Sequence, residues 1–157
     1  SYRNPISAEV LLFADLEAGR GRHQGESESF STYGFMAGMV YRPTRETRLR
    51  MTGSTRADNS LTRGDTSINE FRLDLRHDFA VAGSSLASRQ WVARGFASIS
   101  EAEGDLDNYN DQSAGLSLRS FLRDDIFIEA GHSWFDTESS FGRTTERVVT
   151  LELGVEF

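Results

Sequence analysis

The sequence predicts an all-β fold, an eight-stranded antiparallel up-and-down β-barrel. Three observations point there. Apolar and polar residues alternate with period two in eight separate segments, the pattern of strands with one apolar face rather than of helices. The connections alternate too, polar and long and then short, as in a barrel with loops at one rim and turns at the other. Finally, 14 Gly, 11 Phe, 4 Tyr, 2 Trp and only 2 Pro in 157 residues make a chain of strand formers, too aromatic to be disordered.

In chain order, Ala8, Val10, Leu12, Ala14 and Leu16 oppose Glu9, Leu11, Phe13, Asp15 and Glu17. Tyr33, Phe35, Ala37, Met39 and Tyr41 oppose Thr32, Gly34, Met36 and Gly38. Leu49, Met51, Gly53, Thr55 and Ala57 face away from Arg48, Arg50, Thr52, Ser54 and Arg56. The sharpest separation sets Phe71, Leu73, Leu75 and Phe79 against Glu70, Arg72, Asp74, Arg76 and Asp78. From Trp91 the alternation continues through Ala93, Gly95, Ala97 and Ile99 against Val92, Arg94, Phe96 and Ser98, and here both faces carry an aromatic. Ala114, Leu116, Leu118 and Leu122 then oppose Ser113, Gly115, Ser117 and Arg119. Ile126, Ile128, Ala130, His132 and Trp134 oppose Phe127, Glu129, Gly131, Ser133 and Phe135. In the last segment Val149, Leu151, Leu153, Val155 and Phe157 alternate with Val148, Thr150, Glu152, Gly154 and Glu156. On a helix those glutamates would spread around the axis, whereas on a strand they share one face. Residues 19–29, 58–66, 101–111 and 136–145 read as long polar loops, and 42–47, 80–87 and 123–125 as the shorter connections.

Charge and composition exclude several functions. The 17 positive charges are all arginine, against 24 Asp and Glu, for a net charge of -7, the wrong balance for a nucleic-acid binder. The absence of cysteine removes disulfides, thiolate metal sites and cysteine nucleophiles. No apolar run approaches the roughly 18 residues of a transmembrane helix. The chain opens Ser-Tyr-Arg-Asn-Pro, without a basic segment followed by an apolar one, so an exported protein would be present here in mature form. Residues 1–157 read as a single domain, with the C-terminal part of a longer precursor as the open alternative.

Alternation alone fits two opposite proteins. A soluble, lipocalin-like barrel turns its apolar face inward around a ligand, while a membrane barrel turns it onto lipid and keeps charges inside. Segments of about eleven residues, tilted, match the apolar band of a membrane barrel. Tyr33, Tyr41, Phe79, Trp91, Trp134 and Phe157 lie near segment ends on the apolar face, where an aromatic girdle meets the headgroups. The charged face alternates sign, as in Glu70-x-Arg72-x-Asp74-x-Arg76-x-Asp78, so that neighbours can pair in a narrow interior.

The C-terminal segment, with Val149, Leu151, Leu153, Val155 and a final Phe157, resembles the last strand of bacterial outer-membrane β-barrel proteins. Tyr41-Arg-Pro-Thr-Arg-Glu-Thr-Arg-Leu49 and Leu122-Arg-Asp-Asp-Ile-Phe-Ile-Glu-Ala-Gly131 resemble the periplasmic turns of that class. The pattern is similar to the small eight-stranded OmpA/OmpX-like members, and it matches the class rather than one protein. The resemblance implies a Gram-negative outer-membrane location, with the C-terminus and short turns periplasmic and the long loops extracellular. It implies outer-membrane lipid and lipopolysaccharide as surroundings, a protein partner reached through the loops, and the barrel-assembly machinery as reader of the C-terminal signal. In that setting Glu9, Asp15, Glu17, Arg48, Arg50, Arg56, Glu70, Arg72, Asp74, Arg76, Arg94, Arg119, Glu129 and Glu152 form a charge network in the lumen, which an eight-stranded barrel is just narrow enough for side chains to fill.

The expected function is therefore a non-enzymatic one: an integral outer-membrane barrel serving as a surface binding, structural or anchoring protein. The alternatives are a porin-like channel for small or hydrophobic solutes and, further off, a soluble ligand-binding barrel. No catalytic, cofactor or metal site is expected. His132-Ser133 invites a His/Ser reading, but adjacent strand residues point to opposite faces. The loop from Glu101 to Asp111 concentrates five carboxylates without the spacing of a calcium loop, and reads as a solvated acidic segment. Asp136 and His23 carry no motif around them. Arg20, Arg22, Arg143 and Arg147 lie where phosphates of lipopolysaccharide would sit, and guanidinium binds phosphate bidentately.

Overall fold

The computed structural model describes residues 1–22, 29–60, 64–81, 89–104, 108–122 and 126–155. Nine strands follow one another: β1 (Tyr2–Pro5), β2 (Val10–Arg22), β3 (Ser29–Tyr41), β4 (Thr47–Ser60), β5 (Gly64–Val81), β6 (Arg89–Gly104), β7 (Tyr109–Phe121), β8 (Ile126–Ser139) and β9 (Gly142–Val155). They form one antiparallel sheet in sequence order, β1 to β9. Each strand pairs with its predecessor and its successor, an up-and-down meander built from local hairpins.

Two expectations require correction. The strand count is nine, because Tyr2–Pro5 pairs back onto Leu11–Ala14 of β2. This strand has no apolar alternation to reveal it, and Pro5 at its end suits an edge. The turn behind it is held by Ser7, whose Oγ accepts from the amides of Glu9 and Val10 at 3.2 and 3.1 Å. The second correction concerns closure: among the described residues β9 pairs only with β8, and β1 only with β2, so the sheet is open.

The eight long strands occupy the eight alternating segments and run further than expected at one end. β5 begins at Gly64, inside the segment read as a loop, and the β8–β9 ladder continues through Ser139 opposite Gly142. Residues 136–145 are thus a hairpin, not a loop. Its turn needs Gly142, whose φ of 136° is left-handed backbone that side chains with a Cβ rarely adopt. The 101–111 loop is likewise shortened, with Glu101–Gly104 in β6 and Tyr109 opening β7.

The burial of side chains settles the facing left open at Trp91. The buried apolar side chains Phe13, Val40, Val92 and Phe127 share strand faces with the charged residues. The apolar stripe faces outward: Leu16 is 81% exposed, Val149 79% and Leu151 77%. The charge-bearing face is therefore the inner one, and Phe96 points inward while Trp91 points out.

Candidate functional site

Three inward aromatics organise the interior. Phe13 in β2, Phe96 in β6 and Phe127 in β8 each stand directly opposite a glycine on the next strand: Gly38, Gly115 and Gly154. Each ring lies across its glycine, and a Cβ at any of the three would run into it. An arginine covers each ring in turn: Arg50 at 5.0 Å from the Phe13 centroid, Arg72 at 5.0 Å from Phe96 and Arg119 at 3.7 Å from Phe127. Glycine makes room, the aromatic fills it, and guanidinium stacks on the exposed ring face. The sequence shows the arginines and the aromatics, but only the register shows that they meet.

Ion pairs complete this layer. Arg119 Nε donates to Glu129 at 2.6 Å, and Arg94 reaches the same carboxylate oxygen at 3.5 Å. Arg72 and Asp74 pair at 2.9 Å, and Arg76 with Asp78 at 3.0 Å. Asp15 lies 3.7 Å from the amino terminus. Of the other expected lumen residues, Arg56 and Glu70 hold inner positions on β4 and β5, opposite Ile68 and Ser54 respectively, and Glu17 faces Gly34. Glu152 stands opposite Glu129 at the exposed last strand. Glu9 precedes β2 in an exposed turn, its carbonyl accepting the Arg42 amide at 2.8 Å.

One transverse row crosses six strands: Arg48, Arg76, Arg94, Ser117, Gly131 and Thr150 are consecutive register partners. All six line a cavity of about 520 Å³, together with Arg50, Arg72 and Asp74. In sequence these arginines alternate with carboxylates as a network of mixed sign. The structure instead gathers five of them on one wall.

On the outer face, Phe79 and Trp91 stack at 6.4 Å, and His77 stacks on Phe79 at 5.8 Å. Tyr33 and Tyr41 mark the two ends of the stripe on β3, and Trp134 sits on β8. His132 is outward with Trp134, bordering a shallow apolar depression, while Ser133 lines the inner cavity. The two are on opposite sides of the sheet. Beyond the level of Trp134, Asp136 is buried under Arg143 and Thr145, which donate to it at 2.6 Å each. The Arg143 hydrogen bond, and then that of Thr145, hold its carboxyl below the usual carboxylate range. Arg143 is thereby engaged within the protein, and Arg147 stands opposite Trp134; Arg20 is in the upper half of β2. His23, Asp105, Asp107, Phe157 and the side chain of Arg22 lie outside the described residues. Among the described residues no group of three His, Asp or Glu converges as a metal site.

Compared with known proteins, the chain matches no family model, no curated protein and no solved structure.

Proposed function

We propose that the chain is an integral outer-membrane β-barrel without enzymatic activity, whose projecting hairpins serve as a rigid surface for binding or anchoring. One observation carries this reading. The apolar stripe faces outward in mid-strand while the inward face is charged and paired, and the outward face turns polar where the same ladders continue past the stripe. β5 shows the change, from Phe71, Leu73 and Leu75 outward to Ser67 and Asn69 above. A lipocalin-like barrel would enclose the residues that are exposed here.

In hydrocarbon an unpaired strand edge costs several kcal/mol for each unsatisfied group, so the membrane form needs a closed sheet. Directions favour one closure. β2 and β9 are the first and last of eight alternating long strands and run antiparallel, whereas β1 and β9 run the same way. Pairing of β9 with β2, with β1 displaced, closes an even-numbered antiparallel barrel.

Detergent-folded protein run unboiled and boiled on a gel, with its solubility checked after detergent removal, tests the reading. A boiling-dependent shift together with aggregation in plain buffer is the expected result; a folded, monodisperse protein in plain buffer would overturn it. The inner cavity favours a second reading, passage of small solutes, which predicts bilayer conductance that a bulky residue at Gly131 reduces.

A further inference from the structure

We propose that the row Arg48–Arg76–Arg94 is a binding site for a phosphate- or sulfate-type oxyanion. The site rests on the charged face being the inner one, and it goes beyond a structural role for that face. Like charges directly opposite on neighbouring strands repel, yet Arg48 faces Arg76 and Arg76 faces Arg94. Three of the carboxylates around the row are already engaged. Asp74 is held by Arg72, Asp78 by Arg76, and Glu129 is shared by Arg119 and Arg94. The buried Nε of Arg50, whose guanidinium lies over Phe13, has no hydrogen-bond partner, so this wall holds more donors than acceptors.

The row continues as a polar floor. Ser117 and Thr150 flank Gly131, whose missing side chain keeps the space between them open, since a Cβ there would lie 2.8 Å from Thr150 Oγ1. Guanidinium forks on one side and the Thr150 hydroxyl on the other suit a tetrahedral anion that accepts several hydrogen bonds at once, while the Ser117 hydroxyl already serves Glu129. Carboxylate ligands use one plane of two oxygens and would leave part of this donor set unused. A cavity of about 520 Å³ also has room for what the anion is attached to. The arginines sit on adjacent strands β4, β5 and β6, away from both sheet edges, and only Thr150 belongs to the edge strand β9.

The test uses the full chain folded in neutral detergent or neutral-lipid nanodiscs, with folding confirmed by the boiling-dependent gel shift. Unfolding midpoints are measured in chloride, sulfate and inorganic phosphate at matched ionic strength. A parallel series adds phosphatidic acid to the nanodiscs. A midpoint rise with phosphate and sulfate that saturates at millimolar concentration and is lost in Arg48→Gln identifies a soluble oxyanion, because kosmotropic exclusion does not saturate; a rise with phosphatidic acid alone identifies a lipid phosphate. Either supports the site, and a response equal in chloride overturns it.

Arg48→Gln separates binding from architecture. Relief of repulsion raises its midpoint in chloride, while its apparent phosphate affinity falls about tenfold or more; Arg48→Lys, keeping charge but losing the fork, recovers it only partly. Gly131→Ala narrows the floor and weakens phosphate binding without touching a charge. A lower midpoint for Arg48→Gln in chloride, with phosphate response intact, would mean that the row is satisfied within the protein and would overturn the proposal. Loss of the gel shift in the unmodified chain would instead defeat the membrane reading, a distinct failure.

Discussion

Gly38 shows how far a single side chain can matter in this interior. A Cβ there would meet both the Met51 carbonyl and the Phe13 ring, and neither the backbone nor the packed ring can yield cheaply. Gly38→Ala should cost about 1–3 kcal/mol, the usual penalty of overpacking. Gly53 has nothing within 4 Å of its would-be Cβ. Gly53→Ala should be neutral or stabilise by about 0.5 kcal/mol through the unfolded chain. Urea midpoints of the two variants in one detergent make the comparison. Arg119→Ala removes the 2.6 Å pair with Glu129 and the cover of Phe127 together; because Arg94 still reaches Glu129, a loss of about 1–3 kcal/mol is expected in the same assay. These pairings were only half legible. Alternation places Arg50, Arg72 and Arg119 on the charged face, but nothing local to Phe96 says which face it takes. Its glycine partner is on another strand, and register is a property of two segments at once.

The β8–β9 hairpin carries its own pH response. Because Asp136 holds its proton less tightly in the folded hairpin than in a free chain, its contribution is complete above the ordinary aspartate value of about 3.9. The contribution is lost as the pH falls below that value. Amide exchange at the hairpin tip should therefore quicken on acidification in that window. Asp136→Asn should exchange faster at neutral pH and show no such step. This tip reads as a loop in sequence for a physical reason: strands are visible when one face is apolar throughout, and between Thr137 and Glu146 the only apolar side chain is Phe141 at the turn. At the start of β5 and the end of β6 a single pair, Ile68 with Ala102, is too little to mark a face. β1 differs, since four residues are too few to show a period.

Among the described residues the molecule is a single sheet with nothing against its apolar side. Its accessible surface is 11260 Å², whereas a compact soluble chain of 17.5 kDa exposes about 7,900 Å². Closure of β9 onto β2 makes a direct prediction. A cysteine at Ala14, combined in turn with cysteines at Val149, Leu151 and Leu153, should form a disulfide in at least one register when the protein is folded in detergent. The chain lacks native cysteine, so the background is clean. Deleting Tyr2–Pro5 should leave the boiling-dependent gel shift in place; its loss would mean that the short strand belongs to the closed form.

The inward arginines also fix how such an interior answers its surroundings. A guanidinium stays protonated at any pH a cell surface meets, and with no lysine in the chain the cationic half of the interior is permanent. A change of pH can remove negative charge from that face but never the charge of Arg48, Arg76 and Arg94. In the proposed barrel the positive half of the interior is the part that no medium can erase.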